Sequence, residues 1–197
     1  GLMPLQFQGL VPEIRAINSP MPAGTLKGRY AGIVVWLEQE DLSDADFEAW
    51  LVEQKDAGVP IAMLGYPAVD PVGPNAQAFG FEGRPTPLSP PTITRQHEAM
   101  GFELALPKLI ELPSPLHNPS AQPWLELRAG ENTYTPVATS SWGGYAFQPF
   151  MIRSVLPGEK GEGLDRWVLN PLTFIREALQ LPAMPIPDVT TENGRRL

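Results

Sequence analysis

RYAGIVVWLEQEDLSDADFEAWLVEQKDAGVPIAMLGYPAVD, residues 29–70, is the stretch whose reading decides the fold. Tyr30 to Leu37 reads as a strand, and within it Ile33, Val34, Val35, Trp36 and Leu37 form an apolar run without alternation. Such a run suits a strand covered on both faces, as in parallel sheets. A helix follows, with Ser43 as N-cap, Asp46 completing a capping box and Leu42 facing Phe47 as a hydrophobic staple. Phe47, Trp50, Leu51 and Ala57 fall on one face, which leaves Glu48, Gln54 and Lys55 towards water. Asp44 and Asp46 at its start and Lys55 at its end match the helix dipole, and Gly58 stops it. Val59 to Leu64 is the second strand, tolerating Pro60 near its first residue. Strand, helix and strand joined by short loops imply parallel pairing through a right-handed crossover.

Before this unit, Pro4 to Gln8 reads as a short strand and Val11 to Ile17 as an extended segment. After it, Gly65-Tyr66-Pro67 closes the second strand and Asp70 to Pro74 is a loop. The chain holds 24 prolines in 197 residues, more than twice the ~5% usual in proteins, and many fall between Arg84 and Pro123. Long helices are excluded there, but Thr92 to Gln96, Gly101 to Leu106 and Trp124 to Arg128 alternate as strands do. Gly130-Glu131-Asn132 reads as a hairpin turn into Thr133 to Ser140, with further strands at Gly144 to Phe147 and Phe150 to Val155 and a turn-rich stretch at Pro157 to Gly163. Asn170-Pro171 opens a second helix that Pro182 stops. The expected class is α/β, a partial parallel sheet with an added antiparallel β region. Residues 1–181 form a single domain with a proline-rich β-type insertion at about 84–123, and 182–197 is a linker towards a following domain.

A net charge of −8 and a pI near 4.8 argue against nucleic acid or anionic membrane as partners, since both need clustered Lys and Arg. The chain has no cysteine, which excludes disulfides, thiolate metal sites and a cysteine nucleophile. No apolar run approaches the ~18 residues of a membrane span, and the opening GLMPLQFQGL lacks the pattern of a signal peptide, so the sequence reads as a segment of a larger protein.

The chemistry of catalysis is thin. An amidotransferase-like α/β domain would place a nucleophile at the turn after a core strand, yet that turn is Gly65-Tyr66-Pro67-Ala68. The loop before the first helix, Glu38 to Ser43, carries three acids and would repel the phosphate of a flavin or dinucleotide, so no cofactor is expected. His97 and His117 are the only histidines, and neither sits in a ligand pattern. Ser141 is no nucleophile elbow, because Thr139 holds the position where glycine is needed. What remains is binding. Trp36, Tyr66, Trp142 and Tyr145 lie at expected strand ends or loops, and with the acids Glu38 and Asp70 they suit an amino sugar through ring faces and cation–π contact.

Ala183 to Leu197 (AMPIPDVTTENGRRL), Gly28 to Leu37 (GRYAGIVVWL) and Arg166 to Leu179 (RWVLNPLTFIREAL) together resemble the middle region of the PelA family of periplasmic exopolysaccharide-modifying proteins. The resemblance implies a flavodoxin-like or reductase-like domain between a glycoside hydrolase and a polysaccharide deacetylase, with this chain ending just before the deacetylase. Neither enzyme's catalytic or metal-binding residues have matching positions here. The expectation is therefore a non-catalytic structural and interaction domain in the periplasm. Its partners would be the other domains of the parent protein and an export-scaffold protein. The alternative is a carbohydrate-binding module for a cationic, partly deacetylated polysaccharide.

Overall fold

A computed structural model describes residues 3–38, 44–88, 91–100, 116–147 and 169–182. In chain order the elements are α1 (Met3–Phe7), β1 (Ile33–Leu37), α2 (Ala45–Asp56), β2 (Ile61–Gly65), α3 (Pro74–Ala78), β3 (Glu82–Gly83) and β4 (Thr92–Gln96). β5 (Leu116–His117), β6 (Gln122–Ala129), β7 (Asn132–Ser140), β8 (Gly143–Phe147) and α4 (Pro171–Ala178) follow. Six strands form one mixed sheet in the order β1-β2-β8-β7-β6-β4, and β3 pairs with β5 in a small antiparallel ladder. The β1-β2 and β2-β8 pairs are parallel, and the remaining pairs of the large sheet are antiparallel.

The unalternating run of β1 is explained by cover on both faces. Val35 and Leu37, with Ile61, Met63, Tyr145 and Phe147 from its neighbours, pack against Phe47 and Leu51 of α2. Val34 and Trp36, with Ala62, Leu64 and Ala146, pack into the cluster that holds Phe174, Ile175 and Ala178 of α4. Alternate residues of each parallel strand thus meet a helix on either side. The expected antiparallel addition is present, but it is continuous with the parallel strands. β8 leaves the β7 hairpin and pairs in parallel with β2, so the strand expected at Gly144 to Phe147 belongs to the parallel half.

α2 is capped by Asp44, whose side chain accepts from Phe47 N at 2.8 Å, one residue later than the expected Ser43, which lies outside the described residues. Its end is a Schellman motif. Gly58 takes φ +80°, Val59 N donates to Gln54 O at 3.0 Å and Gly58 N to Lys55 O at 2.9 Å. Glu48 and Gln54 do not face water as expected, being 7% and 2% exposed. Each is paired in burial, which is what makes burial tolerable. Glu48 accepts from Asp70 N at 2.9 Å and Asn75 Nδ2 at 3.0 Å. Gln54 accepts from Leu26 N at 2.8 Å and donates to Gly24 O at 3.1 Å. The helix is thus enclosed by loops on the side that periodicity assigned to solvent.

α1 replaces the expected strand at Pro4 to Gln8. Leu5 is buried against the α4 side, Phe7 is exposed, and Gln8 Nε2 donates to Leu172 O at 2.8 Å. Five residues of alternation did not separate the two geometries, and docking on α4 decided it. The Asp70–Pro74 loop runs into α3, which the composition did not indicate. Val11 to Ala16 forms neither helix nor strand and Ile17 enters a turn, and the hairpin turns at Gly130-Glu131 between the paired Ala129 and Asn132. α4 is capped by Asn170, which accepts from Leu172 N and Thr173 N, with Pro171 in the first turn. The strands expected at 101–106 and 150–155, the turn-rich 157–163 and the linker from 183 onward lie outside the described residues.

Candidate functional site

In the parallel half the helices run back against the strands, so helix C-termini collect where the strands begin. A cleft of about 640 Å³ opens there, lined by Lys55 from α2, Gln77 from α3, Gln180 just after α4, and Ser120, Ser141 and Trp142. Ile61 N donates to Trp142 O at 3.0 Å, which ties Trp142 to the first residue of β2. The next residue, Gly143, has φ 141°, and a Cβ there would stand 1.9 Å from Ile61 O. Only glycine lets β8 lie this close to β2.

The indole is held from several sides. Nε1 donates to Phe79 O at 3.0 Å, the ring meets Phe79 edge-on at a centroid distance of 4.9 Å, and it stacks over Tyr145 at 6.3 Å. Asn118 Nδ2 donates to the same Phe79 carbonyl at 3.0 Å, and Ser120 Oγ donates to Asn118 Oδ1 at 2.8 Å. Gln180 is the only non-glycine residue with positive φ among the described residues, at 54°. It occupies the Schellman position after α4, where Leu181 N bonds Arg176 O at 2.8 Å, and its Nε2 donates to Ser141 O at 3.0 Å. A left-handed glutamine costs about 1 kcal/mol against glycine, and such outliers concentrate at binding sites. Two lysines attend the cleft. Lys55 pairs with Asp56 at 2.5 Å and lies 5.8 Å from the Phe79 ring centre, and Lys27 Nζ sits over Gly58. A second open groove of about 700 Å³ continues past Gln77, Gly80 and Ser120 towards Arg84 and Pro119.

The six residues expected to bind a ligand do not converge. Trp142 lines the cleft. Glu38, Tyr66 and Asp70 stand at the other end of the strands, roughly 16 Å away along β2 at the usual rise per residue. Asp70 is exposed and its Oδ1 accepts from Val72 N at 3.0 Å. Trp36 packs on the α4 side of β1. Tyr145 is corrected to the core: it is 0% exposed, its hydroxyl bonds Thr135 Oγ1 at 3.0 Å, and burial pushes its phenol pKa up. The expected neighbourhood of acids and loop aromatics therefore does not form around Trp142. Sequence reasoning passed over Gln77, Ser120 and Gln180. For Gln180 a signal existed, since Leu179-Gln180-Leu181-Pro182 ends a helix without the usual glycine or asparagine.

His97 stacks on Trp124 at 4.3 Å and its Nδ1 accepts from Ala99 N at 3.1 Å. His117 Nδ1 is buried without a partner among the described residues. Burial first, then the Arg84 charge, holds its pKa below the ordinary histidine value, against a pull upward from Glu82 and Glu126. No protein-family model, curated protein or solved structure matches the chain.

Proposed function

We propose that this chain is a non-catalytic module of a PelA-like periplasmic protein that hydrolyses and deacetylates an amino-sugar exopolysaccharide, and that its cleft holds a segment of that polymer. The module spaces the two enzymes and contacts the export scaffold, and its parallel half with α2 and α4 is a remnant of a flavodoxin-like or amidotransferase-like sheet. The resemblance supplies this context. The observation that carries the binding role is the cleft wall, an immobilised indole surrounded by the hydroxyls and amides of Ser120, Ser141, Gln77 and Gln180. Such a wall exchanges hydrogen bonds with sugar hydroxyls and offers an apolar surface to a ring face. The one acid of the lining, Asp56, is paired with Lys55, and Lys27 lies beside Gly58 at the margin, so the cleft has no free carboxylate among its lining residues for a deacetylated, cationic sugar and favours the neutral, N-acetylated form.

Calorimetric titration with N-acetylated and de-N-acetylated amino-sugar oligosaccharides, at low and near-physiological salt, tests this reading. The acetylated ligand is expected to bind with little salt dependence and to weaken about tenfold in Gln180→Ala. No heat at millimolar ligand would sink the binding role.

A further inference from the structure

The cleft does not end at Ser120. Gln77, Gly80 and Ser120 line both it and the second groove of about 700 Å³. Gly80 keeps the junction bare: its φ is +80°, and a Cβ there would stand 2.9 Å from both Asn118 Oδ1 and Ser120 Oγ. Only glycine fits, so no side chain at residue 80 closes the passage between the two hollows. The junction is also tied to the indole. Phe79 O accepts from Trp142 Nε1 and from Asn118 Nδ2, both at 3.0 Å. Asn118, 1% exposed, accepts through Oδ1 from Ser120 N at 3.2 Å and Ser120 Oγ at 2.8 Å. One buried asparagine thus fixes the shared wall relative to Trp142.

The two hollows are alike in charge. The charged residues lining the cleft are Lys55 and Asp56, paired at 2.5 Å, and those lining the second groove are Arg84 and Glu82, paired at 2.6 Å. Each carboxylate is met by a cation of its own groove, so the balance in both hollows suits a neutral ligand. The second groove also carries groups that a sugar can use. The ion pair engages Nη2 of Arg84, one of three nitrogens in a guanidinium that carries five donors. Exposed Pro119 adds an apolar patch to the same groove.

We infer that the saccharide site runs through both hollows and takes a continuous run of N-acetylated sugars, with Trp142 towards one end and Arg84 towards the other. This rests on the reading of the cleft as a sugar site. Hollows of about 640 and 700 Å³ each fall in the range that encloses a drug-sized ligand, so one sugar ring fills neither. The Asn118 network sets the shared wall before the ligand arrives, and the second groove therefore adds affinity at little ordering cost. A polymer uses this arrangement and a short saccharide does not.

Calorimetric titration with the N-acetylated amino-sugar disaccharide, tetrasaccharide and hexasaccharide tests the extension. A longer chain offers more registers to a two-sugar site, which by itself raises affinity at most about fivefold for a hexasaccharide. A gain of at least about thirtyfold over the disaccharide is expected. Gly83 lines the second groove and not the cleft, and a Cβ there meets nothing within 4 Å. Gly83→Trp should therefore fill that groove, cut the gain to the register level and leave disaccharide affinity within about twofold. Arg84→Ala should weaken the hexasaccharide about fivefold. The length series uses the unaltered protein and stands even if neither variant folds. Disaccharide binding with only the register gain overturns the extension and leaves the cleft reading in place, whereas no heat from any saccharide overturns both. A large gain that both variants leave intact also overturns the extension, by placing the added sugars outside the second groove.

Discussion

The two ends of the parallel strands differ in charge, and one helix accounts for much of the difference. Where the strands finish, Glu38 and Asp70 are exposed, and Asp44 and Asp46 begin α2. Where they begin, Lys55 closes the same helix and Lys27 lies over Gly58. Acids stabilise helix N-termini and cations helix C-termini, and in a parallel unit the helices run back against the strands. The dipole thus sorts acids to one end and lysines to the other. An aromatic placed at the beginning of a strand, as Trp142 is, sits at the end from which these acids are withdrawn. The ends also share a device, since α2 buries one polar side chain near each terminus as a strut. Glu48 holds the segment 70–75, and Gln54 holds 24–26.

The comparison breaks most severely at Gly143. Gly143→Val drives a side chain into the Ile61 carbonyl, and a loss above about 4 kcal/mol is expected in urea titration, abolishing the cleft together with the fold. Glu48→Ala removes the acceptor for two hydrogen bonds in a buried place and should cost about 2–3 kcal/mol by the same measurement. Acting at the far end, it should leave saccharide affinity at the cleft within about twofold; a larger change would show the ends to be coupled.

His117 gives a pH-dependent term. Its folded pKa lies below the unfolded value near 6.5, so the unfolded state binds more protons across that window. Stability is therefore expected to fall as pH drops through about 6.5 and to level off below the folded pKa, a slope in melting temperature that His117→Phe should remove. The smallest effect on stability concerns Gln180. Gln180→Gly relieves the left-handed strain but loses the bond to Ser141, so stability should stay within about 0.5 kcal/mol of the parent. Sugar affinity should nevertheless drop, and unchanged affinity would reduce this glutamine to a helix terminator.

Much of the local structure was legible in local chemistry. The unalternating run of β1, the stop at Gly58, the hairpin at Gly130-Glu131 and the Asn170-Pro171 cap rest on side-chain period or on contacts a few residues apart. The binding residues were less legible. Tyr145 and Trp142 are three residues apart, yet one is fully buried and the other lines a cleft, because β8 begins between them. Glu48 and Gln54 have the periodicity of a solvent face, and only the loops that fold over α2 reveal them as buried.

The amino-acid sequence by itself determined that α2 stops at Gly58, that β1 is covered on both faces, and the absence of cysteine chemistry, since each follows from residue type and near neighbours; α4, expected to run to Pro182, ends at Ala178 instead. Tertiary structure alone decided that β8 pairs in parallel with β2, that Gln180 takes the left-handed conformation beside Ser141, and that Trp142 stands away from Glu38 and Asp70. These depend on which distant segments meet. Pairing partners and burial are set by the free energy of the whole sheet, to which no local pattern has access.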